Sequence, residues 1–194
     1  MSASRVTTFD GYRRPDGRIG VRNHVLVLSP TGLTSMAAQR VSSLVKGTIC
    51  VTSGYGRGQV GADAKLHFDT LAGLATHPNV AAVVVLAADD GIARSYADDV
   101  ARDGKPVVAL SLPGAREDAL ALVDAGVRAA TKLVHDASFL RRERCEIKDL
   151  CIAVECGRTC LIHGLSLFAV RPALPLPPRA GSTGLRSVST DKHA

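Results

Sequence analysis

Residues 80–87 read Val-Ala-Ala-Val-Val-Val-Leu-Ala, an apolar run without a polar break. A run that short and that rich in β-branched residues predicts a strand buried on both faces. Shorter runs at 25–28, 48–52, 107–112 and 150–154 predict four more strands of the same kind. Between them the apolar spacing changes from continuous to helical. Residues 33–46 put Met36, Ala37, Val41, Leu44 and Val45 on one predicted side. Residues 62–76 do the same with Leu66, Leu71 and Leu74, with Phe68 nearby. A helix is also expected over 92–102, and a longer one from about 116 towards 144, with a break near Gly126.

Strands that alternate with helices join through right-handed crossovers into a mostly parallel sheet. The expected fold is therefore a three-layer α/β domain, Rossmann-like and doubly wound, with helices on both faces. It should occupy residues 25–145. Residues 1–24 form a separate turn or hairpin segment around Pro15-Asp16-Gly17, ringed by Arg13, Arg14, Arg18 and Arg22. There proline fixes φ, aspartate bonds its own backbone and glycine takes the left-handed position. Beyond about 160 the pattern dissolves. Residues 172–182 have the composition of a linker, so 161–194 are expected to be an irregular, disordered tail.

The stretch Gly54-Tyr55-Gly56-Arg57-Gly58-Gln59-Val60-Gly61 lies between the predicted strand at 48–52 and the helix from 62. Glycines allow positive φ and close approach to a ligand. The free N–H groups opening the next helix favour an anion. Arg57 adds a guanidinium suited to a carboxylate, sulfonate or phosphate. The same residues also fit a tight turn with an exposed arginine. The loop is neither G-x-G-x-x-G nor a Walker A loop, and Ser29-Pro30-Thr31-Gly32 after the first predicted core strand supplies no dinucleotide fingerprint.

Asp63 and His67 are four apart on the next helix and share a face. They read either as a carboxylate orienting an acid–base or metal-binding histidine, or as a surface pair. Asp89-Asp90-Gly91 ends the strongest strand, where open α/β sheets bind ligands. Its carboxylates read as metal ligands or as caps of the following helix. The gaps between Cys145, Cys151, Cys156 and Cys160 contain no C-x-x-C pair, which argues against a structural zinc site.

Composition narrows the class. Of 194 residues, 46% are hydrophobic but only 4% aromatic, with no Trp, so the core must be Val, Leu, Ile and Ala. No apolar run is long enough for a membrane span. Five Cys without a secretory signal fit reduced thiols in a cytoplasmic protein. The net charge of +6 could suggest nucleic acid. Half of it, however, comes from Arg171, Arg179, Arg186 and Lys192 against Asp191 in the tail, and no basic helix face emerges; nucleic acid is not the expected partner.

Taken together, the segments resemble the altronate/galactarate dehydratase family, which includes the large subunit of sulfolactate sulfo-lyase. The signatures run from Gly11 to His24 (Gly-Tyr-Arg-Arg-Pro-Asp-Gly-Arg-Ile-Gly-Val-Arg-Asn-His), Tyr55 to Asp63, Leu66 to Leu71, and Pro78 to Val85. The Tyr-Gly-Arg form of the loop looks more like the sulfo-lyase branch. The resemblance implies β-elimination from a small hydroxy acid, releasing water or sulfite, with a divalent metal, Fe²⁺ by resemblance. It makes His67 and Arg57 the catalytic candidates: a base or ligand, and a clamp for the developing enediolate. It makes Gly54, Tyr55, Gly56, Arg57, Gly58, Gln59, Arg22 and Asn23 the substrate-binding candidates, and Asp63, His67 and Cys156 the weak metal candidates. A companion subunit or domain and a homo-oligomer are the expected partners besides the small acidic substrate. The resemblance fades after Glu155-Cys156-Gly157, where Arg158-Thr159-Cys160 follows. Residues 146–160 are thus expected to start a truncated C-terminal lyase domain, and the sequence leaves open whether this chain is active without the rest. The alternative is a non-catalytic anion-binding or interaction domain of the same descent. On either reading, Arg57, the loop glycines and His67 should converge on a concave, positively charged pocket at the C-terminal ends of the strands.

Overall fold

The structure is a computed structural model, which describes residues 7–56 and 58–151. The chain divides into two units, Met1–Leu150 and Cys151–Ala194. Of the second only Cys151 is described, and it is exposed outside regular structure. The expectations for Arg57, Cys156 and the tail lie outside the described residues.

The core is a four-stranded, wholly parallel sheet. Its strands are β3 (His24–Ser29), β4 (Thr48–Thr52), β5 (Val80–Ala87) and β6 (Val107–Ser111), in the spatial order β4-β3-β5-β6. All eight residues of β5 are buried, as its unbroken apolar run requires. Two helices cover each face. On one, α1 (Gly32–Leu44) and α4 (Ala119–Ser138) pack Ala38, Val41, Leu122 and Ala130 against Val25, Val27, Val84 and Leu86. On the other, α2 (Gly61–Ala75) and α3 (Asp90–Arg102) pack Leu71, Ala72, Ala75, Tyr96 and Val100 against Leu26, Leu28, Val83 and Val85. Alternate residues of each strand thus feed opposite cores, the consequence of a two-residue side-chain period. The three-layer α/β expectation describes this unit.

The helix faces differ from those read in the sequence. Met36 and Leu44 on α1 are exposed, as are Leu66 and Leu74 on α2. Leu66 lies five residues before the buried Leu71, about 140° round the helix, so the two cannot share a face. Alanines complete the packed faces instead, because helices lie close on this sheet. Nor does α4 break at Gly126. That residue is buried, and a Cβ there would stand 2.8 Å from Val41 Cγ2. The glycine lets α1 and α4 approach rather than ending a helix.

The long predicted helix stops at Ser138, and the chain continues into a strand, β7 (Glu143–Glu146). β7 pairs antiparallel with β1 (Thr8–Arg13), which pairs in turn with β2 (Ile19–Gly20). The N-terminal segment and the residues after 143 therefore share one small sheet. Only Cys145 of β7 is buried, so its charged sequence carried little strand signal. The predicted strand at 150–154 is not seen at Leu150 or Cys151; its remaining residues lie outside the described ones.

The β1–β2 turn forms as its sequence dictates. Gly17 takes φ 84°, and the Arg18 N–H donates to Asp16 Oδ1 at 2.9 Å. The hairpin is not merely solvated, because Arg14 is buried. Its guanidinium donates to the Pro78 carbonyl at 2.7 Å, to Asn23 Oδ1 at 3.0 Å and to the Arg22 carbonyl at 2.9 Å. These bonds anchor the hairpin to the α2–β5 turn.

Candidate functional site

In a parallel sheet every helix that follows a strand starts at the same end. Here α1, α2 and α3 begin after the C-terminal ends of β3, β4 and β5. The chain runs from β3 outward to β4, then returns across β3 to β5, so β3 and β5 lead to helices on opposite faces. The crevice between their ends is the topological switch point, where such sheets bind ligands. The structure has a cavity of about 510 Å³ there, within the size range of small-molecule sites. Pro30 and Thr31 line it from the end of β3, Gly56 and Gln59 from the glycine loop, His67 from α2 and Asp89 from the end of β5.

Its floor is rigid. The Thr34 hydroxyl donates to the Leu86 carbonyl at 2.7 Å, and the one proton of the Ser29 hydroxyl is shared between the Thr31 carbonyl at 2.9 Å and Thr34 Oγ1 at 2.8 Å. Both side chains are buried, so these bonds fix the ends of β3 and β5 and the start of α1 together.

The glycine loop folds back over this floor. The Gly32 N–H donates to the Tyr55 carbonyl at 3.3 Å. Gly56 takes φ 98°, and a Cβ there would sit 2.1 Å from the Pro30 carbonyl oxygen and 3.2 Å from His67 Cε1. Only glycine permits both the conformation and the approach. His67, more than a turn into α2, turns its ring towards this loop. Its Nε2 lies 2.9 Å from Ser53 Oγ, which also accepts the Tyr55 N–H at 3.2 Å. Ser53 is itself held at both backbone groups: its N–H donates to the Ser29 carbonyl at 2.9 Å, and its carbonyl accepts from Ser35 Oγ at 3.3 Å.

The electrostatics follow from the helix starts. Asp89 caps α3, its Oδ1 accepting the Ile92 N–H at 2.8 Å. Neither Thr31 before α1 nor Val60 before α2 provides a side-chain cap. The starts of α1 and α2 therefore keep free N–H groups near the cavity, while Asp63 in the first turn of α2 and the Asp89 carboxylate in the lining oppose their positive potential in part.

Of the residues picked out in the sequence, the structure brings Gly56, Gln59 and His67 to the cavity. Gly54, Tyr55 and Gly58 belong to the same loop but do not line it, and Tyr55 is exposed. Arg57 lies outside the described residues, so among those described the lining carries no permanent cation. Asp63 is exposed in the first turn of α2 and does not pair with His67; Ser53 takes that place. Arg22 and Asn23 stand before β3, at the other end of a strand spanning roughly 20 Å. There the Asn23 amide donates to the Ala137 carbonyl at 2.7 Å, and the Arg22 N–H donates to Asn79 Oδ1 at 3.1 Å. The structure gives these two the work of joining the hairpin to the core. Asp89 takes the capping alternative, and Asp90 bonds Ser111 Oγ. No group of three or more His, Cys, Asp or Glu gathers to hold a metal among the described residues. Sequence reasoning missed Ser53 and the residues after β3, because their roles depend on strand order.

The fold and cavity define a three-layer α/β domain with a small-molecule-sized cavity at its switch point. The chain belongs to the D-galactarate dehydratase/altronate hydrolase family: residues 11–138 match the family's second domain. It is 40% identical over 152 residues to the (2R)-sulfolactate sulfo-lyase subunit beta of Chromohalobacter salexigens. The match covers 78% of this chain and 39% of that protein, so the chain spans well under half the length of this relative. No solved structure matches it. Among the described residues no helix is long and apolar enough to cross a membrane.

Proposed function

We propose that this chain is the substrate-binding α/β domain of a lyase that acts on small hydroxy acids by β-elimination, of the sulfolactate sulfo-lyase or sugar-acid dehydratase type. The observation that carries the reading is His67, fixed by Ser53 against the Gly56 loop at a cavity flanked by two uncapped helix N-termini. The acid group docks against those helix starts and the loop amides, with Arg57 as its clamp. His67 takes the proton α to the carboxylate; the electron pair left on carbon expels the β substituent, as sulfite or, after protonation, as water. Ser53 holds the imidazole in reach of that proton.

The divalent metal expected from the resemblance finds no set of donors among the described residues. Asp63 is exposed and away from the cavity lining, and His67 Nε2 is engaged by Ser53. No step is assigned to it. The relative's name as a subunit supports a companion subunit or domain for this chain, which would complete the site from outside the described residues.

An assay of the full chain against (2R)-sulfolactate and a panel of aldonates and aldarates, with and without Fe²⁺, tests the reading. Turnover that His67→Ala abolishes supports it. A second reading, a binding domain without catalysis, is favoured by the metal-ligand candidates: Asp63 is exposed and away from the cavity, and no group of three His, Cys, Asp or Glu gathers among the described residues. Tight binding of these acids with no turnover under any condition would select it. Neither binding nor turnover would remove both.

A further inference from the structure

Tyr96 sits on α3, on the side of the cavity away from the glycine loop's own strand, and is 3% exposed. Its ring packs against Phe68 of α2 with centroids 4.6 Å apart. A buried tyrosine normally spends its hydroxyl on a protein acceptor. This one makes no hydrogen bond among the described residues, and yet no sealed side-chain oxygen there lacks a partner. A hydroxyl with no partner among the described residues is not sealed there, and Tyr96 is one of the residues that line the cavity. The apolar surroundings also push its ionisation up to about 12, so the group stays a neutral donor across the physiological range.

We propose that the Tyr96 hydroxyl donates a hydrogen bond to an oxygen of the acid bound in the cavity, and so selects for ligands that carry an oxygen on the α3 side. The inference rests on the reading of the cavity as a hydroxy-acid site. It adds a specificity-determining residue that neither the glycine loop nor His67 supplies. A site built to bond a ligand oxygen rejects an analogue lacking it, because the protein group is then left unpaired.

Calorimetric titration of the full chain with (2R)-sulfolactate and with 3-sulfopropanoate, which lacks the 2-hydroxyl, tests this. Tyr96→Phe keeps the ring and its packing on Phe68 and removes only the hydroxyl. The variant should unfold at the same temperature as wild type and bind (2R)-sulfolactate about tenfold more weakly, the loss of one neutral hydrogen bond. A loss confined to sulfolactate assigns the bond to the 2-hydroxyl; equal losses assign it to the carboxylate or sulfonate, and either supports the proposal. The chain has three tyrosines and no tryptophan. Ligand binding should thus perturb the tyrosine absorbance of wild type and of a Tyr12→Phe/Tyr55→Phe variant, a readout available even if Tyr96→Phe folds poorly. Unchanged affinity in Tyr96→Phe, or no absorbance change on binding, overturns the proposal while leaving the site intact. Absence of binding by wild type overturns it together with the reading on which it rests.

Discussion

Ser53 Oγ and His67 Nε2 meet at 2.9 Å across the mouth of the glycine loop, although they stand fourteen positions apart in the chain. The contact joins the end of β4 to the second turn of α2. Because Ser53 is tied by its backbone to β3 and by Ser35 to α1, the imidazole takes its position from three elements at once.

Ser53→Ala should therefore lower turnover or ligand affinity by about tenfold, the worth of one neutral hydrogen bond, without changing the unfolding temperature appreciably. His67→Ala should cost far more turnover, about 10²–10⁴-fold, as expected for a general base. Steady-state kinetics on both variants check this. Equal rates in Ser53→Ala and wild type would reduce the contact to packing.

The Gly56 loop makes a different prediction. A methyl group there meets the Pro30 carbonyl at 2.1 Å in a backbone conformation that L-residues avoid. Gly56→Ala should displace the loop and cost about 1–3 kcal/mol of stability from strain. Ligand affinity should fall in parallel, because the same loop lines the cavity. Denaturant unfolding and calorimetry measure the two effects. A stable variant with normal binding would show that the loop tolerates another path.

The approach of α1 to α4 is testable as a coupling. Gly126→Ala alone gains helix propensity, about 1 kcal/mol, but pushes into Val41, a stiff and fully buried side chain. Val41→Ala alone leaves a void. Made together, each offsets the other's defect. The double variant should be more stable than the sum of the single effects predicts, by about 0.5–3 kcal/mol. Additive losses would place the two side chains out of contact.

How much of this was legible beforehand follows from the kind of signal each residue carries. β5 was evident because its burial on both faces leaves no polar residue to interrupt the run. The glycine loop was evident because backbone conformation itself demands glycine. Leu66 misled because a leucine on a helix looks the same whether it faces the sheet or solvent; only the alanines at 72 and 75 reveal how close the sheet lies. β7 was hidden because one buried cysteine among charges gives no alternation to read. Ser53 could not be paired with His67 from spacing, since Asp63 at helical distance was the nearer candidate and strand order was unknown. Arg22 and Asn23 followed a sequence signature that the fold uses to anchor the hairpin, at the opposite end of β3 from the cavity.

That anchor carries the last prediction. Lys105, 3% exposed, donates to the His77 carbonyl at 2.7 Å beneath the hairpin turn. Arg14, Arg18, His77, Asp16 and Asp103 surround it. Burial, together with the charges of Arg18 and Arg14, lowers its ionisation from 10.5 to about 8, the nearby Asp16 and Asp103 opposing in part. The same burial, with Lys105 and Arg18, also holds His77 below the usual histidine range. A lysine with a depressed value binds its proton more weakly folded than unfolded. Between about pH 8 and 10.5 the unfolded chain keeps a proton that the folded chain has released, so Lys105's contribution to stability rises with pH across that window. Below pH 8 both states are charged, and the folded state bears the full cost of the buried cation. The gain across the window is on the order of 3 kcal/mol if the whole shift is realised. Lys105→Met, which keeps the buried stem and removes the charge, should be flatter than wild type from pH 8 to 10.5. Other titrating groups cancel in the difference between the two curves. Denaturant midpoints at half-unit pH intervals measure it, and parallel curves for wild type and variant would mean that Lys105 keeps an ordinary affinity for its proton.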